Sequence, residues 1–294
     1  MSSGIDIRAL RPGEMQKALP LLNGEFIILR GRRLLLQERY RELFAAANSG
    51  SCFAAFSEKG EILSFAATEG RQLKNPALKI FFVGCVCTAP SARGQGLAGK
   101  VLTFAAETCR AKGFAAGYLW TRLNKFYERL GWKASDRSIL MTLRNVEPGD
   151  AQGVLNFSEK DAEASAKAYG GLLLRRACDY DKVPPPADVP VRLKTAGGSC
   201  LLGGIGQSAG YVYELCAESR EELSALLSAF AARCGGRKEI WINLQPEQQC
   251  AIGMLRSCFP DAEMSAPSLQ MNLIFAEEHR KLLDSLNIPY LDRI

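Results

Sequence analysis

One histidine, His279, in 294 residues leaves little from which to build a zinc site, because such sites draw on His and Cys ligands at short spacing. None of the ten cysteines forms a Cys-x-x-Cys pair, so no metal is expected. No run of about 18 uncharged apolar residues occurs, which excludes a transmembrane helix, and no membrane partner is expected. Met1-Ser2-Ser3-Gly4-Ile5-Asp6 lacks the basic start and apolar run of a signal peptide. There is no dense Lys/Arg run interleaved with aromatics, so nucleic acid is not an expected partner. Cys85 and Cys87 alternate along a strand-like run, while Cys109, Cys178, Cys234, Cys250 and Cys258 sit in helix-like contexts. They read as free thiols in a reducing, cytoplasmic setting.

The sequence is long enough for about two domains, and its charge is uneven. Residues 1–150 hold 22 Lys and Arg against 13 Asp and Glu, a net +9; the remainder holds 15 against 18, a net −3. A cationic first half suits a polyanionic ligand, although solvated surface charge gives the same count.

Strand-like and helix-like segments alternate in the first half. Ile5 to Leu10 reads as a strand, and Pro12-Gly13-Glu14 opens a helix through Met15, Ala18 and Leu22. A second helix is predicted over Leu34 to Ala47, ended by Asn48-Ser49-Gly50. Cys52 to Ser57 and Ile62 to Thr68 form a predicted hairpin with Lys59-Gly60 at its turn. Leu78 to Cys87 is the most apolar strand, suited to the sheet centre. A helix from Gln95 to Lys112, a strand from Ala116 to Thr121, a short helix from Lys125 to Leu130 and a closing strand from Ile139 to Leu143 follow. The second half repeats this order: strand Tyr211 to Ala217, helix Glu221 to Cys234, strand Lys238 to Leu244, helix Glu247 to Cys258 and strand Leu269 to Phe275. The fold class is α/β (α+β), a mixed central sheet with flanking helices, duplicated in tandem. The junction falls near Glu147-Pro148-Gly149-Asp150, giving domains 1–147 and 148–294, and Pro184-Pro185-Pro186 reads as a stiff connector.

Pyrophosphate binding needs converging backbone N–H groups at a helix N-terminus and small side chains that let the anion approach. Arg93-Gly94-Gln95-Gly96-Leu97-Ala98 meets this between a strand and a helix. Neither the Gly-x-x-x-x-Gly-Lys-Ser/Thr loop nor the dinucleotide-binding Gly-x-Gly-x-x-Gly pattern fits. In the second half the equivalent stretch is Glu218-Ser219-Arg220-Glu221-Glu222-Leu223, with no glycine and three carboxylates that would repel pyrophosphate.

The first half resembles the GNAT superfamily of N-acetyltransferases. Arg93, Gly96 and Ala98 are similar to its Arg/Gln-x-x-Gly-x-Gly/Ala signature, and Phe126-Tyr127-Glu128-Arg129-Leu130-Gly131-Trp132 to its second block. Tyr118-Leu119-Trp120, Gly131-Trp132 and a degenerate second domain resemble the enhanced-intracellular-survival type. In that type a further sterol-carrier-like domain brings a C-terminal carboxylate into the active site. Here the sequence runs only to Ile294, which leaves both acceptor and base open. The resemblance implies acetyl-CoA as co-substrate, with the backbone of Cys85, Val86 and Cys87 pairing with its pantetheine arm. Arg93, Gly94, Gln95, Gly96, Leu97 and Ala98 would hold its pyrophosphate, and Tyr127 would be the acid that protonates the CoA thiolate.

Cys85 and Cys87 have no basic partner in sight, so direct transfer is expected over an acyl-cysteine intermediate. Glu25, Trp120 and Ile294 are the acceptor-side candidates. The acceptor is read as a small-molecule amine, with a protein or peptide amine, or a non-catalytic acyl-CoA-binding role, as alternatives. The second half is expected to shape the acceptor site, pack on the first, or form a homo-oligomer interface; its negative charge would suit a cationic amine.

Overall fold

The apolar run at Leu78 to Cys87 forms a strand at the middle of a sheet. In this computed structural model, residues 4–74, 76–149, 153–237 and 239–294 are described. Asp150 of the expected junction, Lys238 and Met1–Ser3 lie outside them.

The strands are β1 Asp6–Ala9, β2 Cys52–Phe56, β3 Ile62–Gln72, β4 Lys79–Thr88, β5 Ala116–Trp120, β6 Lys133–Ala134 and β7 Ile139–Arg144. From the later part come β8 Val154–Asn156, β9 Val189–Thr195, β10 Cys200–Ile205, β11 Gly210–Cys216, β12 Glu239–Leu244, β13 Glu263–Ser265 and β14 Gln270–Ile274. The α-helices are α1 Met15–Phe26, α2 Leu36–Arg39, α3 Leu97–Ala111, α4 Asn124–Glu128, α5 Glu159–Ala168, α6 Arg220–Arg233, α7 Gln249–Cys258 and α8 Arg280–Ser285. No helix among the described residues is long and apolar enough to cross a membrane.

Two seven-stranded mixed sheets result, β1-β2-β3-β4-β5-β14-β6 and β8-β9-β10-β11-β12-β7-β13. Their orders are equivalent position by position. In each, the fourth and fifth strands are parallel and the other neighbours antiparallel. The sixth strand of each comes from the other half of the sequence. β7, predicted to close the first sheet, pairs with β12 and β13; β14 pairs with β5 and β6. Met141 and Leu143 pack among Ile240, Ile242 and Leu244, and Met271 packs with Phe81 and Leu119. Asp136 fixes the crossing by accepting from the backbone N–H groups of Leu269 (2.6 Å) and Gln270 (3.1 Å).

Sequence periodicity places most other elements correctly. α3 buries Leu97, Val101, Leu102, Ala105, Ala106 and Cys109 on one face, an amphipathic spacing. The single helix predicted over Leu34 to Ala47 is instead α2, turns and a 3-10 helix over Ala46–Ser51. Leu36, Tyr40, Leu43 and Phe44 are still all buried, so the apolar pattern marks the core face correctly but not the backbone. Local helical bonding yields to long-range bonding at Arg39. Its guanidinium donates to Leu34 O, Val183 O (3.1 Å), Ala187 O and Asp188. The hairpin β9–β10 and helix α5 have no counterpart in the elements expected from the sequence.

A buried ion cluster ties the first sheet to the second and to the tail. Arg71 on β3 donates twice to Asp179 (3.1 and 2.8 Å). Arg175 bridges Glu214 on β11 (2.6 and 2.8 Å) and Asp292 (2.7 Å). Arg175 and Asp292 side chains have 0% exposure; without Arg175, Asp292 would keep only Arg71 at 3.6 Å, and breaking such a buried pair costs about 3–5 kcal/mol. This pairing fixes the backbone two residues before Ile294.

Candidate active site

After β4 the backbone turns through Gly94 (φ 80°) and Gly96 (φ 70°), left-handed conformations that favour glycine. Gly96 caps α3 without a side-chain hydrogen bond, and the first turn of α3 carries no acidic residue. Arg93, Gly94, Gln95 and Gly96 are exposed, Ala98 is half-buried, and Leu97 is buried and anchors the helix. A Cβ on Gly94 or Gly96 would meet no protein atom within 4 Å. The free N–H groups of a 15-residue helix therefore face open space, which is the arrangement an anion requires. Arg93 donates to Glu25 at 2.7 Å and to Thr88 O at 3.3 Å. The sequence points Arg93 to the cofactor and Glu25 to the acceptor; the structure pairs them, and neither lines the main cavity.

β4 and β5 are paired only from Ile80/Ala116 to Phe82/Tyr118, although β4 runs on to Thr88. Cys85 (φ 53°) sits in the diverging part. A cavity of about 840 Å³ opens there, lined by Val83, Gly84, Cys85, Val86, Leu119 and Trp120, with Tyr127 from α4. Burial pushes the Cys85 thiol well up, and pushes Cys87 up to about 12. Neither is an activated thiolate. All ten cysteines are free. Tyr127 is 8% exposed, and burial alone pushes its phenol up to about 12. Ile294 lines the same cavity. Its backbone carbonyl carbon and oxygen would stand 2.8 Å from a Cβ on Gly84, so only glycine admits the tail here.

The opposite wall comes from the second sheet: Tyr211, Val212, Tyr213, Trp241 and Asn243. The prolines read as a connector are part of this wall. Tyr213 donates to Pro184 O (2.9 Å) and Tyr290 to Pro185 O (2.7 Å), and the two rings stack at 5.5 Å. Four arginines, Arg30, Arg32, Arg122 and Arg293, line the cavity, and no Asp or Glu side chain does among the described residues. The net negative charge of the second half thus does not reach this cavity. Sequence reasoning missed Trp241, Asn243, Arg293 and also Asn124, whose buried Oδ1 lacks a partner one turn before Tyr127. Only Asn124 carried a local signal, its i, i+3 spacing to Tyr127 on one helix face.

At the equivalent corner of the second sheet, Ser219 caps α6 by accepting from the Glu222 N–H. Glu222 also accepts from Ser199 Oγ at 2.6 Å, which holds its carboxyl below the usual range. Glu221 and Glu222 occupy the first turn.

A model of the acetyltransferase (GNAT) domain matches residues 6–135. The match is a likeness over these residues alone. None of the curated proteins matches the sequence. Among solved structures it is similar to a GCN5-related N-acetyltransferase from Kribbella flavida, with 14% identity and a TM-score of 0.65 over 94% of this protein and 72% of that one. A GCN5-related N-acetyltransferase from Anabaena variabilis gives 10% identity and 0.63 over 92% and 72%. Eis1 from Mycobacterium abscessus gives 14% and 0.60 over 95% and 75%. These likenesses establish a GNAT-like mixed α/β fold, and tandem GNAT-like domains fit the two sheets.

Proposed function

We propose that the protein is an acetyl-CoA-dependent N-acetyltransferase that moves the acetyl group directly to a primary amine of a small molecule. The observation that carries this reading is the divergence of β4 from β5 beside the open N-terminus of α3, with Tyr127 facing the gap. Acetyl-CoA supplies the acetyl group as a thioester. The unpaired edge of β4 at Cys85, Val86 and Cys87 offers backbone groups to an extended amide-bearing arm, as an added strand would use them. The Gly94 to Ala98 backbone offers its N–H groups to a pyrophosphate, and Arg93 stands at its edge. Asn124 Oδ1 is a buried acceptor for an N–H of the same arm. Tyr127, protonated at neutral pH, donates its proton to the departing thiolate.

No carboxylate side chain lines the cavity among the described residues. A water chain through the cavity takes the amine proton, and Trp120 forms part of the wall beside Ile294. On this reading the catalytic domain spans 1–147 and a degenerate GNAT-like domain, without its own CoA site, spans 148–294, each lending a strand to the other. Acetyl-CoA turnover over an amine panel tests the proposal. Tyr127→Phe should lower kcat by about 100-fold or more, the usual scale for a lost general acid, with CoA affinity retained. Unchanged turnover in that variant would remove the acid role.

A further inference from the structure

Four buried side-chain atoms lack a hydrogen-bond partner among the described residues, and three of them, Trp120 Nε1, Asn243 Oδ1 and Arg293 Nη1, belong to residues lining the large cavity. Native interiors leave few such atoms unpaired, and a cluster of them marks places where a bound group belongs. Arg293 is the most informative. It is 5% exposed, its Nε and Nη2 donate to Ile288 O at 3.2 Å, and Nη2 reaches Ser138 Oγ at 3.4 Å. Its guanidinium lies 5.4 Å from the Trp120 ring centroid and 5.1 Å from that of Tyr290. The neighbouring carboxylates are already engaged: Asp136 by Ser138 and two backbone N–H groups, Asp292 by Arg175. Asp136 and Asp292 act on Arg293 through their charge, but its Nη1 has no hydrogen-bond partner, and a buried donor left unpaired is costly.

Arg32 adds a second positive group. It is half-buried, and burial with the nearby Arg39 and Arg30 pulls its guanidinium below the ordinary value. Asp188, the acid near it, is held by Arg39. Phe26, Tyr40, Trp120, Tyr211, Tyr213 and Trp241 give the remaining walls a large aromatic share, with aliphatic residues and prolines between them. The four arginines disfavour polycations by direct repulsion, which a cation–π contact of about 0.5–2 kcal/mol offsets only in part.

We infer that the acceptor is an amine that also carries an anion, a carboxylate or a phosphate, on a flat or aromatic body, with the anion on Arg293 and a donor of the ligand on Asn243. Planar guanidinium groups suit both anions. This inference rests on the acetyltransferase reading of the same cavity and narrows its substrate class. Polyamines and aminoglycosides fall outside it.

The test is equilibrium binding to the full-length protein in the presence of CoA, using tryptophan, tryptophanamide, O-phosphoserine and spermidine. Loss of one charge-assisted contact is worth about tenfold, so tryptophan should bind about tenfold more tightly than its amide, and spermidine most weakly. O-phosphoserine ahead of tryptophan, despite having no ring, assigns phosphate as the preferred anion. Arg293→Gln should abolish the acid-over-amide preference; Arg32→Gln, at a less buried position, should narrow it without a folding defect. Tryptophanamide or spermidine binding as tightly as the acids would overturn the inference, as would no binding of either acid, or equal losses for acid and amide in both variants. Because binding is read without turnover, failure of every amine to be acetylated counts against the acetyltransferase reading alone.

Discussion

The helix after β4 and the helix after β11 start at the same place in equivalent sheets, but their first turns differ in charge and capping. β11 and β12 also part after three paired positions, Gly210–Val212 against Ile240–Ile242, as β4 and β5 do. Strand divergence is therefore common to both sheets and cannot by itself make a CoA site. What separates them is the helix N-terminus. That of α3 is left open by glycines in left-handed conformation, whereas α6 has the Glu222 N–H taken by Ser219 and its field offset by Glu221 and Glu222. The helix after β12 has no tyrosine, where α4 carries Tyr127. The two sheets share a strand order, and on the proposed reading a few polar residues at one helix start decide which of them takes a polyanion.

The comparison can be broken at the open helix. Gly96→Asp would place a carboxylate and a capping oxygen where α6 already has them, and would strain a position at φ 70°. CoA affinity, measured by calorimetry, should fall about tenfold or more, the scale of a charge-assisted contact turned repulsive. The reciprocal change, Ser219→Ala, should cost about 1 kcal/mol of stability in denaturant unfolding, the usual worth of an N-cap. It should leave CoA affinity unchanged, since the acidic first turn remains.

The smallest effect concerns pH. Burial pushes the Tyr127 phenol up to about 12. The acid form is therefore present below that value and lost only as pH rises through it. A kcat profile of the full-length protein should show no alkaline fall from this group between about pH 7 and 10, where an ordinary phenol of pKa about 10 would begin to titrate. A Tyr127-dependent fall centred below about 10 would mean that the phenol is not held in this buried environment.

The local parts of the candidate site could be named from the sequence because their chemistry is local. Arg93 to Ala98 and Phe126-Tyr127 are contiguous blocks, and the strands before them follow from apolar runs. The exchange of β7 and β14 was not legible, since each is a short run of five or six residues with no local feature that names its sheet. Choosing between them depends on contacts such as Asp136 with Leu269 and Gln270, more than 130 residues apart in sequence. The charge of the cavity was hidden for a related reason. Arg30, Arg32, Arg122 and Arg293 come from separate segments, so an acidic average over the second half said nothing about the wall it presents. Pro184 to Pro186 read as a connector because the hydroxyls of Tyr213 and Tyr290 that dock it are remote in sequence.

The stoichiometry of CoA binding tests the central claim most directly. Titration calorimetry on the full-length protein should give one CoA per molecule, with that single event weakened by Gly96→Asp and untouched by Ser219→Ala. Two CoA per molecule, or one event insensitive to Gly96→Asp, would contradict the assignment of the only CoA site to the first sheet.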